Sequence, residues 1–201
     1  MDITHVFFDI GGVLGTNGWD REQRSHAIEH FGLDEDFEQR HHELAGDWEI
    51  GRITLAEYLE SAVFYEPRSF SRQELEAFML AQSEPYPESL LIAEDLRARR
   101  PDLRLMTFNN ESVELNNYRI ERFGLRPLFS AFLSSCWLGV RKPSRAMFER
   151  GLGVAQAEAR RVVLIDDREQ NLAPARSMGF QTIRFTNASA LENALVNLHL
   201  L

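Results

Sequence analysis

The chain has 201 residues, 44% of them apolar and 26% charged, and a formal net charge of −9. That length buries a full core, and the acidic balance excludes a binder of nucleic acid, because no basic excess is available to neutralise phosphates. A single cysteine, Cys136, rules out an internal disulfide. With no basic, apolar leader and no apolar run of membrane length, the expectation is a cytoplasmic protein without a membrane partner.

Residues 4–15 read as a buried strand, rich in Val and Phe, that ends in a carboxylate, Asp9, and two glycines, Gly11 and Gly12. From about 20 to 82 the patterning is helical, with helices expected at 21–31, 35–50, 54–65 and 71–82. Two of them open on capping boxes, Thr54 with Glu57 and Ser71 with Glu74. Pro85 and Pro87 break that pattern. Beyond them helices and strands alternate: helix 87–99, strand 103–108, helix 111–123, strand 130–134, and a helix opening at Pro143. Strand 162–166, helix 169–178, strand 181–185 and helix 188–199 complete the chain. Strands separated by helices predict an α/β fold with a doubly wound parallel sheet. The core is expected over 1–14 and 88–201, with a helical insertion over 15–87 hinged above the strand ends.

In a parallel sheet all C-terminal strand ends face one crevice. Asp9, Thr107 with the following Phe108 and Asn109, Lys142 before Pro143, and Asp166–Asp167 with Asn171 all fall at such ends. Singly, each has an ordinary reading: a turn residue, a β-former, a surface charge, a helix cap. Together they fit phosphoryl transfer through an aspartate. Asp9 is the expected nucleophile, Mg²⁺ is expected between Asp9 and Asp167, and Lys142 and the Thr107 hydroxyl are expected on the phosphoryl oxygens.

The sequence Phe-Phe-Asp9-Ile-Gly11-Gly12-Val-Leu resembles the first motif of the haloacid dehalogenase-like hydrolase superfamily. Thr107 stands at the second motif, Lys142-Pro143 at the third, and Ile165-Asp166-Asp167-Arg-Glu-Gln-Asn171-Leu at the fourth. The resemblance covers the whole chain and implies a Rossmann-like core with a C1-type helical cap. It further implies an aspartyl-phosphate on Asp9, Mg²⁺ held by Asp9, the Gly11 carbonyl and Asp167, and Asp166 and Asn171 orienting Lys142 and the ligands. Thr107, Phe108, Asn109 and Lys142 then form the substrate-binding set.

One residue departs from that pattern. Phosphatases of the superfamily usually carry a second Asp two residues after the nucleophile, as the general acid and base, and this chain has Gly11 there. General acid–base catalysis is worth about 10²–10⁴-fold, so either turnover falls or another group substitutes, Asp20 being one candidate.

Other signals carry less. His26-Ala-Ile-Glu29-His30 matches a short zinc-peptidase pattern, but on the insertion, away from the strand ends. His41 and His42 read as solvated, and Cys136 as a packed apolar residue. Trp19, Trp48, Tyr58 and Phe64 read as the packing of a small helical unit. The sequence therefore predicts a Mg²⁺-dependent phosphatase of a small phosphorylated metabolite such as a sugar phosphate. A metal-independent 2-haloacid dehalogenase and a fold-retaining binding or regulatory protein stand as rivals, and oligomeric state stays open.

Overall fold

A computed structural model describes residues 2–201. Five strands form one parallel sheet: β1 (His5–Phe8), β2 (Arg104–Asn109), β3 (Ala131–Ser134), β4 (Val162–Asp166) and β5 (Gln181–Arg184), in the order β3-β2-β1-β4-β5. The α/β architecture expected from the sequence is the one observed. β1 is central and buried on both faces, which explains why its residues are uniformly apolar rather than alternating. Val6 and Phe8 pack, with Leu105, Val163 and Ile165, against α5 (Pro87–Arg99), α6 (Val113–Arg122) and α10 (Ala188–Asn197). Phe7, with Met106, Phe108 and Leu164, packs against α8 (Arg145–Ala155) and α9 (Glu169–Ser177). Two apolar clusters thus sandwich the sheet.

Register sets the level of every strand end. Phe8 pairs with Thr107 on one side and Ile165 on the other, so the next residues, Asp9, Phe108 and Asp166, come level. β2 runs to Asn109, one residue beyond the expected end. The helix expected to open at Pro143 begins at Arg145, and a short helix, α7 (Ser135–Leu138), closed by Gly139 at φ 66°, was not foreseen.

Between β1 and α5 lie α1 (Arg21–Phe31), α2 (Phe37–Glu49), α3 (Leu55–Ala62) and α4 (Arg72–Ala81). Both expected capping boxes are present, at Thr54 and Ser71, each worth about 1 kcal/mol. The insertion has its own apolar core of Trp19, Phe37, Trp48, Tyr58, Leu59, Leu75 and Met79, which also takes in Leu115 from α6. Polar contacts reinforce the docking: the Leu55 amide donates to Glu114 at 3.0 Å, and the Ser135 hydroxyl to the Glu49 carbonyl at 2.6 Å. Among the described residues, no helix is long and apolar enough to cross a membrane.

Candidate active site

Lys142 stands at the centre of the strand ends. Its ammonium donates to the Phe108 carbonyl at 2.8 Å and to Asp166 at 2.7 Å, and lies 2.9 Å from Asp9 Oδ2. An ammonium has three donors, and all three are used. The group is 3% exposed, so burial opposes its charge, but Asp9 and Asp166 outweigh that and hold its pKa above the ordinary value. Asn110 fixes the loop: its side chain donates to the Lys142 carbonyl and accepts from the Lys142 amide, at 2.9 and 2.8 Å.

Asp166 is saturated in turn. Besides Lys142 it accepts from the Arg168 amide at 2.9 Å and from Asn171 at 3.0 Å. Its pKa lies below the ordinary value: burial pushes it up, and Lys142 and these donors more than compensate. Asp9 has fewer partners, its other oxygen accepting the Ile10 amide at 2.8 Å. Burial, reinforced by Asp166 and Asp167, raises it to about 7 against the pull of Lys142.

Asp167 completes the group. Carboxylate oxygens of Asp9, Asp166 and Asp167 lie within 4.8 Å of one another. Asp167 Oδ1 is buried without a partner, and the backbone hydrogen bonds of the 10–15 turn leave the Gly11 carbonyl unused. Hard, anionic and unpartnered oxygens are what a divalent cation such as Mg²⁺ takes as ligands, so the residues present fit one. Gly12 makes room: at φ 72°, a Cβ there would lie 2.5 Å from Asp167 Oδ2.

These ends open on a cavity of about 400 Å³ between the sheet and the insertion. Asp9, Gly11, Asn110, Lys142 and Asn171 line its floor, and Trp19, Asp20, Arg24, His41 and Trp48 its opposite wall. Every cation here is paired. Arg24 meets Glu38 at 2.8 Å, Arg119 meets Glu111 at 3.0 Å, Arg141 meets Glu49 at 2.7 Å, and Arg168 bonds Asp20.

The structure brings together Asp9, Gly11, Lys142, Asp166, Asp167 and Asn171. It does not bring Thr107 to them. Paired with Phe8, Thr107 points to the α5–α6 face, is fully buried, and its hydroxyl has no partner. The physical reason is the register of β2, which ends at Asn109 and leaves Thr107 two residues short of the strand end, beside Phe8 on the α5–α6 face. The Phe108 ring likewise packs under the sheet against Phe7 and Phe148, and only its carbonyl reaches Lys142. Asn109 is buried, donating to Asn116 at 2.9 Å.

Asp20 does line the cavity, but as the N-cap of α1, accepting from the Arg21 amide and from Arg168. These bonds outweigh its burial and lower its pKa, which suits an acceptor and not a proton donor. The space a side chain at Gly11 would enter is bounded by Asn17 Oδ1, 3.0 Å from a Cβ built there, and by Arg119 at 3.6 Å. Asn17, Arg119 and Glu111 were not singled out in the sequence. Glu111, buried beside Arg119, is raised by that burial to about 7. His41, expected to be solvated, is buried and bonded to Tyr58, while His42 is exposed.

A family model for haloacid dehalogenase-like hydrolase matches residues 3–179. Among solved structures, the chain is similar to a predicted HAD-like family hydrolase from Porphyromonas gingivalis, with TM-score 0.80, 23% identity, and 99% and 98% of the two chains covered. It is also similar to a HAD family enzyme from Bacteroides thetaiotaomicron solved with magnesium and inorganic phosphate, with TM-score 0.78, 21% identity and 92% and 94% coverage. An L-2-haloacid dehalogenase from Xanthobacter autotrophicus superposes with TM-score 0.63 and 18% identity over 97% and 83% of the chains. Bifunctional epoxide hydrolase 2 of Sus scrofa is 24% identical over 91% of this chain, which spans 36% of that protein's length.

Proposed function

Since the chain belongs to the haloacid dehalogenase-like hydrolase family, we propose that it is a Mg²⁺-dependent phosphatase of a small phosphorylated metabolite, its helical insertion acting as a cap. The observation that carries this reading is the buried, unpartnered Oδ1 of Asp167, a residue that stands in one carboxylate cluster with Asp9 and Asp166. Displacement of a halide from carbon by a carboxylate needs no cation, and a buried carboxylate without a donor is costly unless something positive completes it.

Asp9, Asp167 and the Gly11 carbonyl would hold Mg²⁺, which supplies charge neutralisation for the phosphoryl group. Asp9 attacks phosphorus through the oxygen not held by the Ile10 amide. Lys142 favours the ionised form of that carboxylate against its burial and aligns it, and its charge offsets the negative charge of the incoming phosphoryl oxygens. The P–O bond to the alcohol breaks as the aspartyl-phosphate forms, and water later cleaves that intermediate to return Asp9. Asp166 and Asn171 hold Lys142 in place, and Asn110 holds its backbone. With Gly11 offering no carboxyl, leaving groups that depart with little protonation, such as those of sugar 1-phosphates, acyl phosphates and aryl phosphates, are favoured.

A phosphate-release screen with and without Mg²⁺, repeated with Asp9→Asn, tests the reading. Metal-dependent turnover abolished by the substitution is expected. Chloride release from haloacids without metal would overturn it in favour of a dehalogenase. Across aryl phosphates the rate should fall steeply as the leaving phenol becomes more basic.

A further inference from the structure

Tyr58 is fully buried in the insertion, with Trp48 stacked on its ring at 4.4 Å between centroids. Its hydroxyl lies between two nitrogens, Trp19 Nε1 at 3.1 Å and His41 Nδ1 at 2.8 Å. An indole nitrogen only donates, so the Tyr58 oxygen accepts from Trp19. The one phenolic proton then goes to His41, whose Nδ1 must be the bare, accepting nitrogen. A neutral imidazole carries a single ring proton, and here it sits on Nε2. The reverse tautomer would leave the Tyr58 proton buried with no acceptor.

His41 lines the cavity, and its Nε2 forms no hydrogen bond within the described residues, yet is not sealed from solvent. The ring stays neutral near pH 7. Burial first, then Arg24 of α1 and His42 of α2, draw its pKa down to about 4, against Glu38 of α2 and Asp20 of the preceding link. The arginines around it in the cavity, Arg24 of the wall and Arg141 and Arg168 from the core loops, are each already neutralised by a carboxylate. The wall facing Asp9 therefore offers an oriented, uncharged donor and no spare positive charge.

We propose that His41 Nε2–H is the fixed hydrogen-bond donor to an oxygen of the substrate's leaving-group half, selecting a neutral hydroxylated group there over a second anionic one. This rests on the phosphatase reading above. No proton is transferred: the imidazole donates a hydrogen bond throughout, and Tyr58 is the positioning residue that fixes its tautomer. The arrangement supplies polarisation from the wall opposite Gly11, which supplies none from the floor.

Two measurements test it. Imidazole ¹⁵N–¹H correlation spectra of the full chain should show His41 protonated on Nε2 and bare on Nδ1 at neutral pH, and Tyr58→Phe should erase that preference; an Nδ1–H ring in the wild type overturns the assignment. Kinetics then compare glucose 1-phosphate with glucuronic acid 1-phosphate, which differ only in a carboxylate replacing the C6 hydroxymethyl group. Wild-type kcat/KM should be at least about tenfold higher for glucose 1-phosphate, and His41→Phe should lose about tenfold on it, the worth of one hydrogen bond. His41→Gln, which keeps an N–H donor, should restore most of the loss and controls for folding. An active wild type indifferent to His41→Phe, or preferring the acid, overturns the donor role alone. No phosphate release by the wild type from either ester or from aryl and acyl phosphates, with or without Mg²⁺, overturns the phosphatase reading and the donor role together.

Discussion

The floor and the wall of the cavity handle charge in opposite ways. On the floor, Lys142 is shared between two carboxylates, and Asp167 keeps a buried oxygen that no protein donor satisfies. On and around the wall, each arginine has a carboxylate of its own, and the donor left over is a neutral ring. The floor is an electrostatic device, which the proposed function would fill with a cation and a phosphoryl group. The wall is a finished surface that recognises shape and hydrogen bonds. A substrate with its charge at one end and hydroxyls at the other matches both.

The sharpest way to break that contrast is to remove the shared cation. Lys142→Met leaves Asp9 and Asp166 buried without their partner, so turnover should disappear, with a stability loss of about 3–5 kcal/mol read by urea denaturation. A variant that stays fully active would show that the floor does not depend on its shared charge.

Gly11→Asp places a second carboxyl on the floor. Asn17 Oδ1 stands 3.0 Å from the new Cβ, and Arg119 is close enough to draw the carboxylate away from Glu111. The single variant should therefore gain little, whereas Gly11→Asp with Asn17→Ala should raise the rate on alkyl phosphates by about tenfold or more, toward the worth of a general acid. Steady-state rates on alkyl against aryl phosphates decide it.

Glu111 gives a smaller effect, on pH dependence. Its folded pKa of about 7 lies above the ordinary value of 4.5, so the folded state holds this proton longer than the unfolded one. The group's contribution is then most favourable below about 4.5 and is lost as pH rises through about 7. Glu111→Gln should flatten the decline in urea midpoint across that window.

The smallest change is expected at Thr107. Its hydroxyl is buried and unpartnered, so Thr107→Val should leave the rate unchanged and stability equal or higher by about 1 kcal/mol. A large loss of activity would return this side chain to the floor.

Thr107 also marks where the sequence stops being legible. Asp9, Lys142, Asp166 and Asn171 could be placed because each charged or amide group interrupts an apolar run at a strand end or a helix start. Within β2 the residues are buried on both faces, so no alternation reports which side chain points where. The end at Asn109 is set by pairing with β1 and β3. Of the adjacent His41 and His42, both expected to be solvated, only His42 is, because neighbours on a helix point about 100° apart and one of them turns to the interior. Asn17, Arg119 and Glu111 gave no signal because their meeting depends on how the insertion docks, and α7 was too short to show a period.

Gly12 ties the floor to the sheet as a whole. With a Cβ, it would collide with Asp167, so the turn after β1 and the carboxylate after β4 reach their working distance only when bare backbone passes beneath that side chain. A chain in which β4 has not docked presents a cation with separated carboxylates instead of a pocket. Divalent-cation binding, the ligation proposed for these carboxylates, would thus gauge completed folding independently of any substrate.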